Sequence, residues 1–166
     1  MENYSDFLAQ SLVIGIGATI VMDLWAATQH KVLGVPSLNY ALVGRWIAGM
    51  PSGEFRLNPV SVSTSAPFER TIGWSAHYLI GIVFAAVLLS FIDFGWAELW
   101  LGLSCIGVGL VTVAFPFLIM QPSFGLGIAA SRTPQPNTVR FRSLVAHFSF
   151  GVGLYVAVSL SRFLWC

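Results

Sequence analysis

The sequence predicts an all-α polytopic membrane protein of four transmembrane helices, built as two repeated helical hairpins, with a short interfacial helix inside the first repeat. Three observations predict it. Hydrophobic residues make up 56% of the 166-residue chain and charged residues 9%, at a mean hydropathy of +0.78, whereas soluble domains carry about 25% charge. Four apolar stretches are long enough for the roughly 30 Å hydrocarbon core, which takes about 20 residues of helix. The landmarks of the first pair of stretches recur in the same order in the second pair. Eight Lys+Arg balance seven Asp+Glu, which leaves no basic field for nucleic acid and no composition of a disordered chain. Cys105 and Cys166 lie far apart and form no disulfide framework.

The first span is Phe7–Thr28. It has no Lys or Arg before it, is too long for a signal-peptide core and contains Asp23, so it is expected to be a retained helix. Within the loop that follows, Asn39–Met50 is apolar with one arginine, too short to cross, and bounded by Pro36 and Pro51. An interfacial or re-entrant helix is expected there, followed by a Ser/Thr/Pro-rich linker at Ser61–Pro67. The second and third spans are Ile72–Ile92 and Ala97–Met120, and Pro116 and Pro122 are expected to break the third near its end. After an unusually apolar loop, Ser143–Trp165 forms the fourth.

All basic residues but Arg162 fall in the loops His30–Thr71 and Gln121–Arg142, while Glu2, Asp6, Asp93 and Glu98 lie at the opposite ends of the spans. The positive-inside rule then puts the long loops in the cytoplasm and both termini outside. Trp96, Trp100 and Trp165 fit the outer border, and Trp46 and Trp74 the inner one.

The duplication rests on specific residues. Ile14-Gly15-Ile16-Gly17 corresponds to Ile106-Gly107-Val108-Gly109, with Gln29 and Gln121 at equal spacing beyond the second glycine of each. Ala76-His77-Tyr78-x-x-Gly81 corresponds to Ala146-His147-Phe148-x-x-Gly151. The repeats cover about 7–92 and 97–165 of a single transmembrane domain, and two-span units related by an axis along the membrane normal are the parallel type of transporter repeat. Gly15, Gly17, Gly81, Gly107, Gly109 and Gly151 are read as close helix contacts. No strand precedes the glycine pairs, so they are not a dinucleotide fingerprint.

Ionisable groups inside spans are costly and mark function by default. At about 1.5 Å of rise per residue, His77 and His147 lie roughly 8 and 6 Å from the cytoplasmic end of their spans, and Asp23 falls at a similar depth. Glu69, Arg70 and Arg142 sit at the edge of that layer, with Gln29, His30 and Gln121. The set Asp23, His77, His147 and Glu69 suits a small solute or ion in transit. The two histidines alone suit haem iron of the b type, and the histidines with Asp23 suit a divalent metal. A further reading is assembly, the polar groups bonding between helices of a non-catalytic subunit or a homodimer. Gly125-Leu-Gly127-Ile-Ala-Ala-Ser131-Arg132, with Arg45, Arg140 and Arg142, offers backbone N–H groups and guanidinium groups to an anion or to lipid headgroups. Met120 and Cys105 are read as packing residues. No nucleophile–base pair stands out, so enzyme activity is not expected.

Several strings carry a resemblance: Gly17-Ala-Thr-x-x-Met22-Asp23-x-Trp25, Val43-Gly44-Arg45-Trp46, Gly73-Trp-x-Ala-His77-Tyr78-x-Ile80-Gly81, Met120-Gln-Pro and Gly127-Ile-Ala-Ala-Ser-Arg-Thr-Pro134. With Arg142-Ser-Leu-x-x-His147 and Gly151-x-Gly-Leu-Tyr155, they resemble a bacterial family of small integral membrane proteins catalogued as domain of unknown function 2938. The resemblance covers nearly the whole chain and implies a membrane fold in the bacterial inner membrane, with no activity attached. Histidines that the family often carries after the Arg-Trp pair and after the next Gly-x-Phe are absent here, where the chain reads Ile47-Ala-Gly49 and Arg56-Leu-Asn58. This departure weakens any metal site drawn from the first loop.

Overall fold

A computed structural model describes residues 4–57, 65–93 and 100–164. Glu2, Trp96, Glu98, Trp165 and Cys166 lie outside the described residues, as does most of the expected linker at 61–67; the side chains of Asp93 and Arg162 are likewise not described. The described chain is helical: α1 Tyr4–Leu33, α2 Tyr40–Gly49, α3 Glu69–Asp93, α4 Leu101–Val111, α5 Gln121–Ser123 and α6 Pro136–Leu164. Four helices are long and apolar enough to cross a membrane, at Tyr4–Leu33, Glu69–Phe91, Leu101–Ser123 and Pro136–Ser161. They fall where hydropathy placed them, and they start or end a few residues away because apolar runs continue into flanking polar turns that remain helical. The chain divides into two compact units.

The first unit comprises residues 1–37, 78–112 and 146–166. Its core is Ile14 and Ala18 of α1, Ala85, Leu88 and Leu89 of α3, Cys105 of α4, and Phe150, Leu154 and Val158 of α6. Phe84 meets Phe150 edge to face, ring centres 6.4 Å apart. Large apolar side chains such as Leu8, Leu24, Leu79, Leu103, Val111 and Leu160 stand exposed, the arrangement that suits hydrocarbon rather than water.

With lipid outside, helices associate by packing, which rewards small residues. A Cβ on Gly15 would run into the backbone of Ile82, and one on Gly109 would lie 2.6 Å from the Cα of Gly151. Gly153 approaches the backbone of Ala18 just as tightly. Gly17 makes a looser contact, a Cβ there reaching Ala157 at 3.3 Å, and Gly107 faces open space. The expectation that every paired glycine is a contact therefore holds for Gly15, Gly17 and Gly109 and fails for Gly107. Two positions along a helix turn the backbone by about 200°, so both cannot face the same neighbour. Helix α1 ends on Gly34, whose φ of +65° allows Val35 N–H to reach back to Gln29 O; Pro36 follows.

The second unit comprises residues 38–77 and 113–145. Here α2 forms between its prolines as expected, capped by the Asn39 carboxamide accepting from Ala41 N–H at 3.1 Å. Its core is Val43, Trp46, Leu57 and Phe124, with Met120 packed against it. The expected proline break is present as a π-helical turn at Pro116–Met120. Pro116 has no N–H and its ring crowds the preceding turn, so the α ladder opens before it. Gln121 N–H closes the wider turn on Pro116 O.

Candidate functional site

Within the second unit, Gly44 and Gly73 set α2 against the start of α3. A Cβ on Gly44 would overlap the Glu69 carbonyl, and one on Gly73 would overlap the Tyr40 carbonyl. That proximity lets Arg45 meet Glu69 through two bonds, Nε to Oε2 at 2.8 Å and Nη2 to Oε1 at 3.1 Å. Glu69 also accepts from Ala66 N–H at 3.0 Å. The hydrogen bond to Glu69 pushes the Arg45 guanidinium above its already high ordinary value, against an opposing effect of burial. Beside the pair, Tyr40, Trp74 and His77 form an aromatic cluster, with Tyr40 and Trp74 ring centres 4.3 Å apart and Tyr40 Oη 3.0 Å from His77 Nε2.

Across the same unit, Trp46 Nε1 donates to Phe55 O at 3.0 Å and its ring meets Phe124 edge-on. Leu57 N–H donates to Ser123 O. The string Gly127–Pro134 is a tightly wound loop with Ala129 and Ala130 both at positive φ, 47° and 59°. Arg140 holds it, Nε donating to Ala129 O at 2.8 Å, while Thr133 Oγ1 donates to Ala130 O. Two consecutive alanines in the left-handed region each cost about 1–2 kcal/mol, a conformation that persists only because these bonds hold it. Gln121 is 3% exposed, its Nε2 reaches Ser143 Oγ only at 3.4 Å, and its Oε1 has no hydrogen-bond partner. Arg132 and Arg142 are exposed.

The first unit holds Asp23 and His147. Tyr78 Oη donates to Asp23 Oδ2 at 3.0 Å, linking α1 to α3. Thr112 Oγ1 lies 2.8 Å from His147 Nδ1, linking the end of α4 to α6. Cys105, read from the sequence as a packing residue, is fully buried in this unit's core.

Several of the expected site residues have polar partners within their own unit. The structure brings Arg45 together with Glu69, and gives Asp23, His77 and His147 the partners Tyr78, Tyr40 and Thr112. Among the described residues, no group of three or more His, Cys, Asp or Glu side chains gathers in a way that could hold a metal ion. Tyr40 and Thr112 escaped the reading of the sequence, because aromatic and hydroxyl side chains are unremarkable in such a composition. The one available signal for Thr112 was its place one turn beyond Gly109.

Over residues 12–161 the chain matches the family described as protein of unknown function (DUF2938). Neither the curated proteins nor the solved structures contain a significant match.

Proposed function

Starting from the premise that the chain belongs to the DUF2938 family, to which no activity is attached, we propose that it binds and translocates a small solute or ion across the bacterial inner membrane. The observation that carries this reading is Asp23, a carboxylate within a helix long and apolar enough to span, held by the Tyr78 hydroxyl of another such helix. A carboxylate at this depth is expensive to keep. A proton or small cation in transit is what such a group would take, with His77 and His147 as further proton-accepting groups and Gln121, Glu69 and Arg45 as further candidate ligands. Arg132 and Arg142, both exposed, would screen the inner mouth or meet anionic lipid.

The distribution of basic residues supports an orientation with the long loops cytoplasmic and both termini outside. The two-hairpin repeat rests on the correspondence of sequence landmarks; the tight contacts fall out of register with it, on Gly15 in the first half and on Gly109, the counterpart of Gly17, in the second. A homodimer would give so small a bundle room for a pathway.

The test is ion flux into vesicles containing the purified protein and a trapped pH indicator, driven by a proton or sodium gradient. Flux above that of empty vesicles is expected, with a loss of at least about tenfold in Asp23→Asn, since the neutral amide cannot exchange a proton. Wild-type vesicles no leakier than empty ones, or an Asp23→Asn protein as active as wild type, would overturn the proposal. The haem and metal readings use the same histidines, and an optical spectrum with metal analysis of the purified protein decides them directly.

A further inference from the structure

We infer that His147 is a proton-accepting site whose basic atom is Nε2, with the ring fixed in its Nδ1–H form by Thr112. A threonine hydroxyl has one hydrogen to donate and lone pairs to accept with. Thr112 Oγ1 lies 2.6 Å from Gly109 O, an approach of two oxygens that repels unless a hydrogen lies between them. The hydroxyl hydrogen is therefore committed to the Gly109 carbonyl. Toward His147 the same oxygen can only accept, and at 2.8 Å it does so from Nδ1. A neutral imidazole carries one N–H, so its lone pair is then at Nε2, and an incoming proton binds there.

The packing builds this arrangement. A Cβ on Gly109 would lie 2.6 Å from Gly151 Cα and 2.7 Å from His147 O, so only glycine lets α4 and α6 come this close. Thr112 lies one turn beyond Gly109 and His147 one turn before Gly151, which makes their side chains meet at the end of the contact. Thr112 is buried, out of competition with water. Of this unit's other titratable side chains, Asp23 and Tyr78 bond to each other and Cys105 sits in the apolar core, while Tyr4, Asp6, His30 and Lys31 lie on α1 and Tyr155 on α6. Thr112 is thus a positioning residue that selects the tautomer, and His147 is the group that takes the proton. The tautomer stands on geometry alone, while its use in ion passage rests on the function proposed above.

The experiment is nitrogen-15 NMR of protein labelled at histidine, in lipid nanodiscs, across a pH titration, with His147→Gln to assign the signal. At pH values where the ring is neutral, His147 is expected to show a protonated Nδ1 and an unprotonated Nε2, which becomes protonated as pH falls. Thr112→Val removes the hydroxyl at constant shape and is expected to shift the tautomer ratio toward Nε2–H by about tenfold, the worth of one hydrogen bond. Thr112→Ser is expected to restore it. A wild-type ring in the Nε2–H form, or a ratio unmoved by Thr112→Val, overturns the inference; should Thr112→Val fail to fold, the wild-type tautomer alone decides. If the tautomer is as expected and the vesicles pass no ions, the proposed function fails and the assignment of His147 stands.

Discussion

Gly44 lies so close to the backbone carbonyl of Glu69 that a methyl group at this position would overlap it. The carboxylate of the same glutamate holds Arg45, the next residue of α2. Backbone contact and ion pair are therefore one joint, since the two-pronged pair is within reach only while α2 rides on α3 without side chains between them. Gly44→Ala is expected to separate the helices, lengthen the Arg45–Glu69 pair and lower stability by about 1–3 kcal/mol, the usual cost of overpacking. Thermal unfolding in detergent, followed by tryptophan fluorescence with the buried Trp46 among the reporters, measures it. An unchanged midpoint would show that α2 can shift without loss.

This joint also shows what the sequence made legible. The four spans follow from uninterrupted apolar length, which no other physical requirement imitates. The short helix follows from Pro36 and Pro51 at its ends, and the irregular third helix from Pro116, because proline acts on its own turn. Depth along a helix was legible too, which is why Asp23, His77 and His147 stood out. Pairing was not. Arg45 and Glu69 bond across a linker whose path no local rule specifies, and His77 meets Tyr40 through an approach that depends on Gly44 and Gly73. Similar depth says nothing of which way round its helix a residue points, so the partners Tyr78, Tyr40 and Thr112 could not be read from it.

The second prediction compares two glycines of one helix. Gly109 has the backbone of Gly151 within 2.6 Å of where a Cβ would stand, whereas Gly107 has nothing within 4 Å. Gly109→Ala is expected to destabilise by about 1–3 kcal/mol and to disturb the Thr112–His147 contact built on it. Gly107→Ala should stabilise by up to about 1 kcal/mol, because alanine is the better helix former and meets no neighbour. Thermal midpoints of the two variants, measured in the same detergent, should move in opposite directions. A fall of equal size in both would mean that Gly107 has a contact too, such as a second copy of the chain.

The arginines divide by what holds them. Arg45 is joined to Glu69, and Arg140 is turned inward onto Ala129 O and also reaches Asn137 Oδ1 at 3.1 Å. Both therefore stabilise local structure, Arg140 by fixing a loop whose two alanines occupy the left-handed region. Arg132 and Arg142 remain at the surface, where a guanidinium can serve an incoming anion or a headgroup. The basic residues clustered in the two long loops thus do at least two different jobs in the fold.

The last prediction concerns Gln121, whose Oε1 is buried without a hydrogen-bond partner while its Nε2 makes only a 3.4 Å contact with Ser143. A buried acceptor left unsatisfied costs about 1–3 kcal/mol. Methionine has nearly the same length and no carbonyl oxygen, and the apolar cluster of the same unit already accommodates Met50 and Met120. Gln121→Met is therefore expected to raise the thermal midpoint, by an amount equivalent to about 1 kcal/mol once the weak Ser143 contact is subtracted. The opposite result is equally informative, because a clear fall would mean that the oxygen is met in the membrane by a donor, either an internal water or the N–H or O–H group of a bound solute. Adding solute then separates those two sources: a bound solute stabilises the wild type in proportion to its concentration and leaves Gln121→Met unmoved, whereas a resident water gives no such difference.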